Sequence, residues 1–465
     1  FPEIRLSAQL YREYPYGEIT SHLLGHVRRV SEADLQRLEQ KGLKTAYTNS
    51  DWIGKVGIEA FYESTLRGQL GLNYVEVDSR GTEIRLLDRQ NPISGQNVVL
   101  TINIALQQVA YDAFADQNGA LIALDPNDGS VLAFVSKPGY DPSYFVKGLD
   151  TTTWQQMLDS IDRPLVNRAS SGVYPPGSTL KPFLALAGLE AGLRTPAWSM
   201  WDPGYFSLPG SNAKFRDWKK GGHGQVNMHK AIVESVDTYF YKLADELGID
   251  TIHRYLTRFG FGAKTGIDLP SESNGVAPSR EWKKRRFGTP WYPGDTISVG
   301  IGQGYNLVTP LQLAVATAGI ANGHSLVQPV LTKAELDPTF KKDSTSITPT
   351  RVRPLLMSPQ NVKVLQKAME GVMRPGGTAA NAAAGATYTM AGKTGTAQVF
   401  GLKGEDYDEN TIDKKLRDHA LFIAYAPADD PTIALAVIVE NGGHGGSVAA
   451  PIARKVFDAY FKSQP

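Results

Sequence analysis

The amino-acid sequence predicts an α+β fold: one antiparallel sheet of about five strands, split by a long helical insertion and preceded by a separate N-terminal region. Three observations predict it. Two β-rich runs flank a turn near residue 125, three more follow residue 386, and the stretch between them, from about Thr152 to Gln366, is mostly of helical character. At 465 residues the chain has room for two or three domains.

In chain order, residues 1–97 are polar, mixed in charge and short in their elements, with EADLQRLEQKG as one amphipathic helix. They hold none of the chemistry-bearing patterns found later and read as an accessory domain or part of one; residues 98–465 form the second domain. IALQQVAYDAFADQ has helical spacing, and GALIALDPNDGSVLAFVS gives two strands joined by an Asp-Pro-Asn-Asp-Gly turn, a strong hairpin signal. TYTMAGKTGTAQVF, HALFIAYAPADD and PTIALAVIVENGG supply the late strands, and APIARKVFDAYFK a terminal amphipathic helix. The charge-rich YDENTIDKKLRD, Tyr407 to Asp418, reads as a solvated loop or short helix between two strands. A site in such a fold lies between sheet and helices.

Composition narrows the chemistry. Lys+Arg 48 against Asp+Glu 47 leaves a net charge of +1, so no global field draws the chain to nucleic acid or an anionic membrane. The absence of cysteine removes disulfides, thiol catalysis and cysteine-based zinc sites. No apolar run approaches the roughly 18 residues of a membrane span. The chain begins at Phe1 rather than methionine, so a missing anchoring segment carries no information.

One apolar helix carries an odd pair. In GVYPPGSTLKPFLALAGLEAGL, Gly172 to Leu193, Pro182 is tolerated only in a first turn, so the helix should begin at about Gly177 or Ser178. Ser178 then sits at the positive end of the dipole, and Lys181, three residues on, shares its face within reach of the hydroxyl. A serine needs a base beside it, and a lysine serves if desolvation or a neighbouring cation lowers its pKa from about 10.4. Alone, the pair also reads as a capping serine with a snorkelling lysine. It is not alone: ESVDTYFYKLADELG holds Ser235, Val236 and Asp237 at the mouth of another helical run, and AGKTGTAQV holds Lys393, Thr394, Gly395 and Thr396 on the first late strand.

The order S-x-x-K, S-x-D, K-T-G resembles the penicillin-recognising serine acyltransferases. YPPGSTLKP, TISVGIGQGYNLVTPLQLA, GKTGTAQVFGLK, LRDHALFIAYAP, VIVENGGHGG and the early IGKVGIEAFYE are similar to the class B penicillin-binding proteins, in particular their elongation-specific branch. The resemblance implies a penicilloyl-serine-transferase (β-lactamase/transpeptidase-like) domain behind a partial, dimerisation-like N-terminal pedestal. It implies a D,D-transpeptidase that cross-links peptidoglycan stem peptides during cell elongation and is blocked by β-lactams.

Under that resemblance Ser178 attacks the penultimate carbonyl of a D-alanyl-D-alanine end and leaves an acyl-enzyme for an amine to open. Lys181 takes the serine proton, and Ser235 relays it to the leaving amine. Lys393 keeps the site cationic and, with Thr394 and Thr396, holds the terminal carboxylate. The N–H groups of Ser178 and Thr396 form the oxyanion hole, each such donor being worth about 2.7 to 4 kcal/mol. Gly395 leaves room for the substrate strand. Asp237 stands where most of the family has asparagine, so its role as acceptor or as charged partner of Lys181 stays open.

The same resemblance implies an inner-membrane protein with its catalytic domain in the periplasm, anchored by one N-terminal helix outside this chain. It implies a SEDS-type glycan polymerase and an elongation scaffold as partners. The chemistry needs no cofactor. Asp202, Asp217 and His223, in a loop-rich region before Ser235, could hold a structural zinc; some relatives add a cysteine in the x position of S-x-D, here Val236, so the set is one ligand short unless a water supplies the fourth position. The other reading has Asp202 capping a turn, Asp217 paired with a nearby cation and His223 packed on the loop. Rival functions are a serine β-lactamase, for which no E-x-x-L-N-like stretch follows Ser235, a β-lactam sensor, and a D,D-carboxypeptidase that differs only in using water as acceptor.

Overall fold

The computed structural model describes residues 11–40, 42–43, 47–336, 345–346, 352–399 and 413–463. Its centre is a five-stranded antiparallel sheet. The strands are β1 (Gly119–Leu124), β2 (Val131–Lys137), β3 (Ala391–Ala397), β4 (His419–Ala426) and β5 (Ile433–Val439), in the spatial order β3-β4-β5-β1-β2. The early hairpin and the late strands thus form one sheet, as the sequence predicts. In the β1–β2 turn Asp125 accepts from Asn127 N–H and Asp128 from Ser130 N–H, while Gly129 takes a positive φ of 79°. β3 is an edge strand, and its register on β4 sets Lys393 opposite Ile423 and Thr396 opposite Ala420.

Strands β1, β4 and β5 are nearly continuous apolar runs because both faces of the sheet are covered. Helices α1 (Ile104–Asp112), α2 (Lys181–Glu190), α3 (Asp237–Arg258), α4 (Pro310–Asn322), α5 (Pro359–Val372) and α6 (Ala450–Lys462) pack around it. α4 lies against β1, β4 and β5, and every residue from Pro310 to Ala321 is buried, which accounts for its all-round apolar sequence. A capping box between Thr309 and Gln312 starts it and Gly323 ends it. α1 and α6 pack together beside β2 and β5. α2 lies between α3 and α5, and α5 also touches β3, so helices and edge strand share one seam.

The N-terminal region is less separate than its composition suggests. Leu23 and Ile58 are buried in the main core, Gln107 Nε2 donates to Ile19 O, and Tyr62 Oη donates to Asp268. The ribbon of Leu72–Val77 and Glu83–Gln90 leaves Leu72, Tyr74, Val77, Ile84, Leu86 and Leu87 exposed. The helical insertion also contains short strand pairs, Ser199–Asp202 with Gly224–Asn227 and Tyr205–Phe206 with Phe215–Arg216, where the sequence reads as loop. Of the charged insert, Tyr407 to Thr411 and Ile412 lie outside the described residues, and Lys414–Leu416 forms a 3-10 turn. Among the described residues no helix is long and apolar enough to cross a membrane.

A glycine-rich loop after β5 clamps the edge strand. A Cβ on Gly445 would stand 2.2 Å from Leu421 O and 2.5 Å from Gly395 O, both backbone atoms that cannot swing aside. We expect Gly445→Ala to cost about 1 to 3 kcal/mol, the usual range for overpacking, seen as a lower urea midpoint; an unchanged midpoint would refute this packing.

Candidate active site

The helix bearing the Ser178 and Lys181 pair starts differently from the simplest expectation. Gly177–Leu180 is a tight 3-10 turn with φ +52° at Gly177, and α2 proper begins at Lys181 with Pro182 in its first turn. The turn is pressed between two backbones. A Cβ on Gly177 would stand 2.3 Å from Thr396 O, one on Gly302 would stand 2.1 Å from Gly177 O, and Gly177 N–H donates to Gly302 O. Ser178 is thereby fixed at the sheet edge, half-buried, with no side-chain hydrogen bond among the described residues.

Lys181 is fully buried, and all its hydrogen bonds go to the second motif rather than to Ser178. Its Nζ lies 2.7 Å from Ser235 O, 3.2 Å from Ser235 Oγ and 2.6 Å from Asp237 Oδ1. Lys393, also fully buried, reaches the same hydroxyl from the strand, with Nζ 2.9 Å from Ser235 Oγ and 2.9 Å from Thr394 O. Ser235 itself has φ +59°, a left-handed conformation that costs about 1 to 3 kcal/mol in a non-glycine residue. That strain aims one hydroxyl at two amines.

Burial, and after it the charge of Lys181, push the Lys393 amine well below its ordinary value, with Asp237 opposing. That direction runs against the expectation that Lys393 keeps the site cationic: burial beside a second amine weakens its hold on a proton. Asp237 answers the question its sequence position left open, since it pairs directly with Lys181.

Gly395 also has a different reason from the one expected. A Cβ there would meet Thr179 Cγ2 at 2.7 Å and Pro176 O at 3.1 Å, so glycine lets the Ser178 turn close onto the strand. Thr394 Oγ1 lies 2.7 Å from Thr378 Oγ1. Thr396 O accepts from Gln303 Nε2. In an antiparallel ladder N–H and C=O of one residue point the same way, so Thr396 N–H faces outward from β4 too, on the Ser178 side, as an oxyanion donor must.

Asp202, Asp217 and His223 do come together, buried, with one ligand atom each within 4.8 Å of the others. Every one of those atoms already has partners. Asp202 accepts from Gly204 and His223 N–H, and Asp217 Oδ2 accepts from Asp237 N–H at 2.7 Å and Thr238 N–H at 3.1 Å. His223 places Nε2 3.1 Å from Asp217 Oδ1 and Nδ1 2.7 Å from Glu234 Oε2. Structural zinc takes four ligands; the described residues bring three to the cluster, Val236 is buried without a donor atom, and the cluster leaves no orphaned side-chain polar atom. The donor set does not fit a zinc site closed by protein ligands alone. It fits a brace: Asp217 caps the first turn of α3 and so holds Asp237 against Lys181. Burial and the neighbouring Asp237 charge raise the Asp217 pKa. The expected lysine or arginine partner of Asp217 is replaced by these backbone donors and His223.

Sequence reasoning missed Glu234, Gln303, Thr378 and the clamp at Gly445. The first lies one residue before Ser235 and the second inside GIGQGY, but nothing in their spacing marks a distant partner.

A model of the penicillin-binding protein transpeptidase domain matches residues 119–458, and one of the penicillin-binding protein dimerisation domain matches residues 1–100. The peptidoglycan D,D-transpeptidase MrdA of Acinetobacter baumannii is 44% identical over 98% of this chain and 67% of its own length. The chain belongs to the penicillin-binding transpeptidase family. Its activity is that of a serine peptidoglycan D,D-transpeptidase, a class whose chemistry uses no cofactor. Two solved relatives share the fold: Pseudomonas aeruginosa PBP2 in complex with WCK 5153 (TM-score 0.84, 42% identity, covering 97% of this chain and 90% of that one) and Helicobacter pylori PBP2 in complex with MreC (0.85, 34%, 97% and 79%).

The depressed Lys393 amine makes stability depend on pH in this penicillin-binding fold. Between its native value and 10.5 the unfolded chain carries a proton that the folded chain lacks, so stability rises with pH through that window. Lys393→Met should flatten that slope by up to about 1.4 kcal/mol per pH unit, read from urea midpoints at pH 7 to 9.5. Parallel slopes would show that Lys393 stays charged.

Proposed function

We propose that Ser178 is the acyl-accepting nucleophile of a transpeptidase serving cell-wall elongation, and that Lys181, Ser235 and Lys393 carry its proton. The observation that carries this is the convergence of both amines on the Ser235 hydroxyl. A neutral Lys393 can draw the Ser235 proton while Ser235 takes one from Lys181; Lys181 is then a free base beside Ser178, and no proton is gained or lost overall. After Ser178 attacks, Lys181 holds its proton and passes it through Ser235 to the departing D-alanine amine. The N–H groups of Ser178 and Thr396 receive the oxyanion, and Thr394, Gly395 and Thr396 line the strand along which the substrate's terminal carboxylate lies.

In this reading the chain divides into a pedestal, residues 1–97, and a transpeptidase domain, residues 98–465. The Helicobacter pylori complex with MreC supports a scaffold partner, and the exposed ribbon of residues 72–90 offers apolar side chains to one. A solved peptidoglycan synthase complex that coordinates polymerization and crosslinking, 32% identical with a TM-score of 0.82, supports a polymerase partner. Kinship with MrdA supports an inner-membrane anchor outside this chain and a periplasmic catalytic domain. The Asp202, Asp217 and His223 cluster works as a brace without zinc, so metal analysis of the purified chain should find none in stoichiometric amount.

A timed intact-mass series with a penicillin tests the nucleophile. We expect one stoichiometric adduct that lasts many minutes and is missing in Ser178→Ala. An adduct that clears as hydrolysed drug accumulates would make the protein a β-lactamase, and no adduct would sink the assignment. The acylation rate should also rise with pH to a plateau well below 10.5, and Lys393→Arg, which cannot become neutral, should lower it at least about a hundredfold, within the usual range for loss of acid–base catalysis.

A further inference from the structure

A short helix, Arg280–Phe287, has the sequence REWKKRRF, which puts five cations in eight residues of a chain that is nearly neutral overall. Two of the five are committed. Arg280 pairs with Asp250, and Lys283, buried, pairs with Asp295 while its Nζ lies 4.5 Å from the Tyr292 ring and 5.4 Å from that of Tyr305. Lys284, Arg285 and Arg286 are exposed and have no ion-pair or hydrogen-bond partner among the described residues. A helix C-terminus favours a cation, but three adjacent ones repel each other, and the fold needs no such number.

Ring contacts tie the helix to the segment that packs on the Ser178 turn. Trp282 and Phe287 each lie 5.4 Å from Tyr305, which is two residues from Gln303, the side chain bound to Thr396 O, and three from Gly302, packed on the Ser178 turn. Phe287 and Tyr292 are about half exposed, at 51% and 53%, next to the free cations. Exposed rings beside unpaired cations on an anchored helix form a surface for an anionic, partly apolar chain.

Resting on the transpeptidase reading above, we infer that Lys284, Arg285 and Arg286 bind the carboxylates of the acceptor stem peptide, while Phe287 and Tyr292 pack on its apolar parts. The donor peptide is the less suitable occupant, because its terminal carboxylate is committed to the β3 strand. The acceptor must present its amine at the acyl-Ser178 ester while the rest of it lies outside the closed pocket, and stem peptides carry free carboxylates along their length. Attraction between these charges orients the second substrate and leaves the first step alone.

The test uses the whole chain and a triple variant, Lys284→Gln, Arg285→Gln and Arg286→Gln. A D-alanyl thioester donor forms the acyl-enzyme, which partitions between water and a synthetic stem tetrapeptide with either free carboxylates or carboxamides. We expect the triple variant to lower the aminolysis-to-hydrolysis ratio about fivefold for the carboxylate peptide, as loss of several exposed ion pairs would. The ratio for the carboxamide peptide should be equal in both proteins, and added salt should erase the wild-type advantage. Penicillin acylation should stay within about twofold, since small drugs need only the closed pocket; failure of acylation in wild type would instead strike at Ser178. An unchanged ratio overturns the inference. So does an equal fall for both peptides with a lower melting temperature, which would mark the cations as helix stabilisers, or loss of binding to phosphatidylglycerol vesicles with the ratio unchanged, which would mark a membrane-facing patch.

Discussion

Two buried lysine amines share one serine hydroxyl, and the rest of the molecule is arranged around that fact. Like charges about 4 Å apart repel by roughly 4 kcal/mol at an effective dielectric constant of 20, and burial adds a desolvation cost for each. The site cannot keep both amines charged at no cost. Asp237 resolves the conflict by sitting 2.6 Å from Lys181, so the unpaired amine, Lys393, is the one driven toward neutrality. The amine whose hold on its proton is weakened thus lies one hydroxyl away from Lys181.

Holding that arrangement takes elements far apart in sequence. Lys181 comes from the first turn of α2, Ser235 and Asp237 from the mouth of α3, and Lys393 from the edge strand β3. The contacts that bring them together are backbone against backbone: Gly177 on Thr396, Gly302 on Gly177, Gly445 on Gly395. A side chain at any of these would collide with backbone and force the segments that carry these groups apart. A second line of support runs from Glu234 through His223 to Asp217, which caps α3 and fixes Asp237. The left-handed strain at Ser235 persists because these supports over-determine its position.

The fold class, the five strands and the three motifs were legible from residues alone because each is a local pattern: alternation and apolar runs for strands, fixed spacing for S-x-x-K, S-x-D and K-T-G. What escaped was set by contacts between segments distant in sequence. Spacing puts Lys181 near Ser178, but only the tertiary position of Ser235 shows that the amine points to the second motif. Gly395 looked like room for substrate, and the reason turned out to be the Thr179 turn packed on its other side. The metal-like trio was correctly brought together, yet its role depends on which backbone N–H groups the carboxylates accept, and no residue pattern encodes that. The docking of Leu23 and Ile58 into the main core was hidden by the polar composition around them.

The same construction separates the two half-reactions. In the proposed reading acylation draws on Lys181, Ser235 and Lys393, which are buried and hydrogen-bonded to one another, and it is complete before an acceptor arrives. Discrimination in the second step must come from surface that the first step does not use, and that surface has to be anchored to the pocket if it is to steer an amine to one ester. The segment from Gly302 to Tyr305 meets both needs, since one end packs on the Ser178 turn and the other supports the aromatic and basic helix. A small inhibitor that forms only the acyl-enzyme engages the rigid half alone. Cross-linking requires both halves, so acceptor recognition can vary at the rim without disturbing the charge balance between the two lysines.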